Sequence, residues 1–273
     1  MADRRATAVE DGQGAGSQQE LVTMMWRTAG RGEPLAGTQG NGCAGEDRRR
    51  AFITLAVLCL APALGWLPLP LPLRAAEAPI RLLALGDSLT AGYGLERAHA
   101  FPAQLERALR GQGLDVTVEN AGVSGDTSAG GWARLAWLLG SPRATKPDAA
   151  IVELGINDAF RGVDPEMTYA NLDAILEQLS ARGIPVLLAG MRLLPQWGTN
   201  DGERFASLYP RLAARHGVAL YPFFLEGVAG VRALNLPDGL HPNADGIAEI
   251  VRRITPAAAD LVRAAAEKRA RTP

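Results

Sequence analysis

Leu82-Leu83-Ala84-Leu85-Gly86-Asp87-Ser88-Leu89-Thr90-Ala91-Gly92-Tyr93-Gly94 joins an apolar run to a glycine, with a serine two residues further on and turn-forming residues after it. An unbroken apolar run of this length predicts a strand buried on both faces, as parallel strands are. In an open α/β sheet the carboxyl ends of the strands border the ligand crevice, so a serine placed there would face it. Ordinary turn chemistry also favours Gly-Asp-Ser at strand ends, and the rest of the chain has to decide between the two readings.

Downstream of that strand, apolar runs and one-faced helical patterns alternate. Ile80–Leu85 is the first strand, followed by a helix over Ala98–Gln112 with Phe101, Leu105 and Leu109 at i, i+4 and i+8. Val116–Asn120 alternates as a second strand, and a loop of small residues leads to a helix around Trp132–Leu139. Ala149–Leu154 is a third strand ending at Gly155-Ile156-Asn157-Asp158. Asp164-Pro165 starts a helix as N-cap and N1, and Gly183 stops it. Pro185–Gly190 and Gly217–Tyr221 are the fourth and fifth strands, a helix precedes His216, and an apolar-faced helix with Ile247, Ile250, Val251 and Ile254 ends the chain. The fold class is therefore α/β, a parallel sheet with helices on both faces, because parallel crossovers need helices.

The composition excludes several functions. Lys+Arg 28 against Asp+Glu 29 and a pI near 6.3 leave no electrostatic footprint for nucleic acid. Both cysteines, Cys43 and Cys59, lie in the first quarter, so the body from residue 79 has no disulfide, thiolate zinc site or cysteine nucleophile. Residues 1–47 lack apolar periodicity and read as a disordered extension, with Met24 or Met25 as alternative starts. Residues 48–78 carry Arg48-Arg49-Arg50, an apolar run Ala51–Trp66 and Ala76-Glu77-Ala78, the layout of an export signal with a twin-arginine resemblance. Pro79 is a poor residue after a cleavage site, so an uncleaved anchor, associating with the membrane through residues 51–73, is the competing reading. Residues 79–273 are the size of one domain, expected as a monomer.

Four loops fall on the carboxyl edge of the sheet, carrying Ser88, Gly125, Asn157 and His241. Of the three histidines, His99 and His216 sit at helix ends, where a cation at a C-terminus needs no further role. His241 lies in a turn three residues after Asp238, a spacing that lets a carboxylate hold Nδ1–H and leave Nε2 to accept a serine proton. A metal site fails for want of any HxH, HExxH or cysteine pair. Gly125 can offer a bare backbone N–H and Asn157 a side-chain amide to an oxyanion, with the Ser88 N–H as third donor. A turn at Gly125 and a cap at Asn157-Asp158 are the plainer alternatives.

Gly86-Asp87-Ser88-Leu89, Gly125-Asp126-Thr127, Gly155-Ile156-Asn157-Asp158 and Asp238-Gly239-Leu240-His241-Pro242 resemble, in order and spacing, the four blocks of the SGNH (GDSL) hydrolases. Asn120–Thr127, Glu153-Leu154-Gly155 and Tyr221-Pro222-Phe223-Phe224 extend the likeness toward the bacterial periplasmic thioesterase I, lysophospholipase and arylesterase branch, over about residues 80–265. The resemblance implies a three-layer α/β/α sandwich with a five-stranded, flavodoxin-like parallel sheet. It implies Ser88 as nucleophile, His241 as base, Asp238 as its orienting partner, and an oxyanion hole of Ser88, Gly125 and Asn157, with no cofactor or metal. The G-x-S-x-G elbow of the α/β-hydrolases is not matched, since Thr90 takes the second glycine's place. Around the acyl chain the resemblance suggests Tyr93, Phe160, Leu194, Pro195 and Trp197. The loop Met191-Arg192-Leu193-Leu194-Pro195-Gln196-Trp197-Gly198 departs from the family's usual Met-x-x-Pro-Pro-Asn-Tyr-Gly, with the larger aromatic expected to shorten the pocket. The expectation is an exported serine hydrolase of small carboxylic esters or thioesters. Carbohydrate O-deacetylation is the alternative reaction, and an inactive binding protein on the same fold is the alternative of another class.

Overall fold

In the computed structural model, which describes residues 78–140, 146–194 and 202–271, strand and helix alternate from Ile80 onward. The elements are β1 (Ile80–Gly86), α1 (Ser88–Ala91), α2 (Phe101–Gly111), β2 (Val116–Gly122), α3 (Ser128–Gly140), β3 (Ala149–Glu153), α4 (Ile156–Phe160), α5 (Pro165–Ala181), β4 (Val186–Ala189), α6 (Gly202–His216), β5 (Ala219–Tyr221) and α7 (Ala244–Arg271). All four strand pairs are parallel, in the order β2-β1-β3-β4-β5. α2 packs on α7, while α3 packs on α5 and α5 on α6. The helices thus form two layers with the sheet between them, the three-layer α/β/α arrangement. The chain leaves β1 toward β2 on one side and later builds β3, β4 and β5 on the other, so the strand order reverses between β1 and β3. That switch point opens a crevice at their carboxyl ends, and Ser88 and Asn157 follow those two strands.

β1 and β3 are buried almost throughout, with Leu82, Leu85, Ile151 and Val152 at 0–1% exposure, because helices cover both faces. α2 buries Phe101, Leu105 and Leu109, the face its spacing predicts, and Phe101 meets Phe224 edge to face at 5.0 Å. Its start differs from the expected Ala98. Pro102 has no N–H to give the Ala98 carbonyl and its ring would crowd it. The Ala98 oxygen accepts instead from Arg107 at 2.8 Å, and Arg97–His99 forms a separate 3₁₀ turn. α3 begins at Ser128, four residues earlier than its apolar pattern suggests, because Asp158 supplies a cap from 30 residues away. The Asp164 carboxylate caps α5 through the Glu166 N–H at 2.8 Å, and Gly183 (φ 64°) follows its end.

At the amino edge of the sheet, Arg269 near the end of α7 donates to the carbonyls of Ala78 (2.6 Å) and Pro79 (3.3 Å), and the Lys268 ammonium reaches the Gly183 carbonyl. Among the described residues no helix is long and apolar enough to cross a membrane. Residues 1–77, with the expected extension and export signal, lie outside the described residues.

Candidate active site

β1 ends at Gly86, and Asp87 turns the chain by capping α1: its Oδ1 accepts from the Leu89 N–H at 3.0 Å. Ser88 is the first residue of that one-turn helix and is 7% exposed. Gly92 (φ 85°) ends the turn, and the Gly92 and Tyr93 N–H groups both donate to the Ser88 carbonyl at 3.1 Å. A side chain at Gly92 would be strained at that φ and would press on Ala100 Cβ at 2.5 Å.

The opposite wall comes from the turn before α7. An antiparallel bridge, Asn235 to Pro242, closes the turn, with the Leu236 N–H donating to the His241 carbonyl at 2.7 Å. Inside it Asp238 Oδ1 accepts the N–H groups of Leu240 (2.9 Å) and His241 (3.0 Å), and Asp238 Oδ2 lies 2.7 Å from His241 Nδ1. A carboxylate only accepts, so Nδ1 carries the hydrogen and Nε2 is left as acceptor. That Nε2 lies 3.0 Å from Ser88 Oγ. Partial burial pushes the Asp238 carboxyl upward, but the two amides and the imidazole outweigh it and hold it below the usual carboxylate range.

Gly125 lies in a turn closed by the Asp126 N–H to the Val123 carbonyl at 3.0 Å, and as the third residue of that turn it has φ 79°. The conformation calls for glycine there, since an added Cβ would meet only Arg161 at 3.7 Å. Asn157 sits in the first turn of α4, and its Nδ2 donates to Asp87 Oδ2 (2.9 Å) and to the Asp126 carbonyl (3.0 Å). The neighbouring Asp158 does the capping: buried at 1% exposure, it accepts from the Ser128 N–H (2.8 Å) and Ser128 Oγ (2.5 Å). The two residues of Asn157-Asp158 thus divide the work, one joining Asp87 to the Asp126 carbonyl and one tying α4 to α3.

Sequence reasoning missed three supports. Arg134 on α3 pairs with Asp126 at 2.6 Å and also donates to the Gly86 carbonyl (3.1 Å) and the Ala121 carbonyl, fastening the Gly125 loop to the ends of β1 and β2. Glu153, at the end of β3 and 0% exposed, accepts from Thr90 Oγ1 at 2.8 Å. The third support is the wall of an apolar hollow beside Ser88, Asn157 and His241. It measures about 130 Å³ and is lined by Leu89, Ile156, Leu225 and Leu240 beside the expected Phe160. Leu89 directly follows Ser88 and Leu240 directly precedes His241, and that adjacency was the available signal. Larger hollows of about 490 Å³ beside Arg97 and Glu106 and about 390 Å³ beside Arg232 and Pro237 are not lined by Ser88.

Of the residues expected around the acyl chain, Phe160 lines the hollow. Tyr93 lays its ring against His241, centroids 4.4 Å apart, and is half exposed. Leu194 is partly buried against the core, and Pro195 and Trp197 lie outside the described residues. His216 bonds Asp173 at 2.6 Å in the last turn of α6, and His99 is exposed in its 3₁₀ turn.

A serine, a histidine and a carboxylate linked in series at the switch point of a parallel sheet define an α/β serine hydrolase. Residues 84–248 match the family described as "GDSL-like Lipase/Acylhydrolase family", and the chain belongs to that family. It is 44% identical over 161 residues to "Esterase TesA" of Pseudomonas aeruginosa, a match spanning 59% of this chain and 79% of that one. Its identity to "Arylesterase" of Vibrio mimicus is 39% over 180 residues (65% and 88% of the two chains). To "Thioesterase 1/protease 1/lysophospholipase L1" of Escherichia coli it is 41% over 175 residues (64% and 81%). Among solved structures, that of TesA superposes with a TM-score of 0.62 at 40% identity, covering 66% of this chain and 99% of that one. That of AlinE4, an SGNH-hydrolase family esterase, gives 0.57 at 45%, covering 68% and 98%. The chain is a hydrolase acting on ester bonds.

Proposed function

We propose that Ser88 is the nucleophile of this esterase, on the strength of the unbroken link from Ser88 Oγ through His241 to Asp238. As Oγ adds to the acyl carbonyl, His241 Nε2 takes its proton, and Asp238 stabilises the imidazolium that forms. The carbonyl oxygen, now an anion, is held by the N–H groups of Ser88 and Gly125 and by the Asn157 amide. In the free enzyme that amide spends one N–H on the neutral Asp126 carbonyl. Trading it for an oxyanion strengthens the contact only as charge develops, and such an interaction raises kcat. The tetrahedral adduct collapses, the leaving alcohol or thiol takes the proton from His241, and an acyl-Ser88 ester remains. Water, deprotonated by the same Nε2, then releases the acid and restores Oγ–H.

The substrates we assign are small carboxylic esters and thioesters. The hollow of about 130 Å³ is small beside the hollows of about 490 and 390 Å³ elsewhere on the surface. Its apolar walls suit an alkyl chain, and neither they nor the names of the relatives favour the O-deacetylase alternative. A p-nitrophenyl ester series from acetate to palmitate should peak near butyrate, and Ser88→Ala should lose nearly all turnover. A folded Ser88→Ala protein at the wild-type rate would overturn the assignment of the nucleophile, and a maximum at eight carbons or more would overturn the short pocket.

We further infer export, from Arg48-Arg49-Arg50, the apolar run that follows and Ala76-Glu77-Ala78. Cell fractionation tests it: the chain is expected outside the cytoplasm, and retention of the full-length form in the cytosol would count against it.

A further inference from the structure

Two buried acids stand back to back behind the nucleophile, and neither belongs to the triad. Asp87 and Glu153 are both 0% exposed. Asp87 gives Oδ1 to the Leu89 N–H and Oδ2 to the Asn157 amide. Glu153 Oε2 accepts from Thr90 Oγ1 at 2.8 Å and lies 3.5 Å from the Asp87 N, while its Oε1 has no hydrogen-bond partner. Among the described residues no ion pair reaches either acid. The groups facing them are the Asp126 and Asp158 carboxyls and the Tyr209 phenol, and Arg134 is committed to Asp126 and two carbonyls.

Two uncompensated carboxylates cannot share this space, so the pair retains a proton. Asp87, with an N–H on each oxygen, is built to be the first of the two to ionise. Glu153, with one oxygen unpartnered, is built to be the neutral acid, since an unpaired oxygen is far less costly on a neutral carboxyl than on a charged one.

An apolar side chain would serve the core better at this position, so the reason for an acid lies in what it touches. We infer that Glu153 is a positioning residue: as a neutral acid it grips Thr90, holds the Asp87–Thr90 turn against the end of β3, and thereby aims the Asp87 carboxylate that orients the Asn157 amide for the oxyanion. The space for this grip is cut into the motif. A Cβ on Gly86 would lie 2.0 Å from Thr90 Oγ1 and 2.7 Å from Glu153 Oε2. Gly86 pairs directly with Glu153 in the sheet, so the glycine leaves room for the acid. The inference rests on Asn157 acting as an oxyanion donor.

Steady-state hydrolysis of p-nitrophenyl butyrate by the full-length protein tests it, with Glu153→Gln, Glu153→Ala, Asn157→Ala and the last two combined. Glu153→Ala should lower kcat by about 10- to 100-fold with KM within about twofold, because the amide that it misaims binds the oxyanion and not the ground-state ester. Glu153→Gln, neutral and of the same shape, should stay within about fivefold of wild type. Asn157→Ala should cost on the order of 10²–10³ alone, but only about tenfold in the Glu153→Ala background, since the double variant should be no slower than Asn157→Ala itself. Independent, multiplying losses would overturn the positioning role, as would wild-type kcat in Glu153→Ala or a Glu153→Gln as slow as the alanine variant. An Asn157→Ala enzyme at full rate would instead remove the oxyanion assignment, and this inference with it. Should Glu153→Ala not fold, Thr90→Val severs the same link at nearly the same volume and carries the cycle with Asn157→Ala.

Discussion

Asp87, one residue before Ser88, has its carboxyl pushed from 3.8 up to about 7 by burial. The Leu89 amide and Asn157 pull against that shift, and Asp126 and Asp158 add to it. In the unfolded chain the same carboxyl ionises near 3.8. Between those values the native state holds a proton that the unfolded state has released, so stability falls as pH rises from about 4 to about 7. Glu153, raised well above the ordinary value mainly by burial and then by Asp87, acts with the same sign and carries the fall to higher pH. Asp87→Asn should therefore gain on wild type by up to about 4 kcal/mol between pH 4 and pH 8. Its activity should drop, because one asparagine oxygen cannot serve both the Leu89 and Asn157 donors. Urea unfolding at the two pH values measures the gap, and a gap of the same size at both would rule out Asp87 as its source. The residues to which we assign the chemistry stood out as short motifs: Ser88, Gly125 and Asn157 each follow closely on a strand, and Asp238 and His241 share one turn. Glu153 did not, because inside the expected strand Ala149–Leu154 nothing near it in sequence calls for an acid, and its partner Thr90 lies 63 residues away.

Helix faces could be read from spacing, and helix ends could not where a distant residue sets them. Phe101, Leu105 and Leu109 declare the buried face of α2, and Asp164-Pro165 declares the start of α5, because all the parties lie within one or two turns of sequence. α3 is the opposite case, its first N–H capped by Asp158 from α4. Asp158→Ala strips that cap and leaves Ser128 unsatisfied in a buried place, which should cost about 1–2 kcal/mol and lower Tm by several degrees. Asp158→Asn, retaining an acceptor, should lose less. Calorimetry decides, and a Tm within one degree of wild type for the alanine variant would show that α3 is held by packing alone. Apart from Phe160, the hollow beside Ser88 escaped sequence reading for a related reason: Ile156, Leu225 and Leu240 come from separate segments that only the closed sheet brings together.

At the scale of the molecule, strand order places the chemistry. A reversal between β1 and β3 opens the crevice, and the seven residues of β1 separate it from the opposite edge by roughly 20 Å. At that far edge the side chain of Arg269 holds Ala78 and Pro79, so the two described ends of the fold sit side by side at the rear. A circular permutant that joins residue 271 to residue 78 by a short Gly/Ser linker and opens at the exposed Gln112-Gly113 turn should hydrolyse p-nitrophenyl butyrate within a few-fold of the parent. Loss of folding in that permutant would show that the order of synthesis, and not only the final contacts, is needed. The same arrangement makes the protein a tool with its handle behind its blade. A bead or a fusion partner joined at residue 78 or 271 holds it from the back, away from the mouth around Ser88.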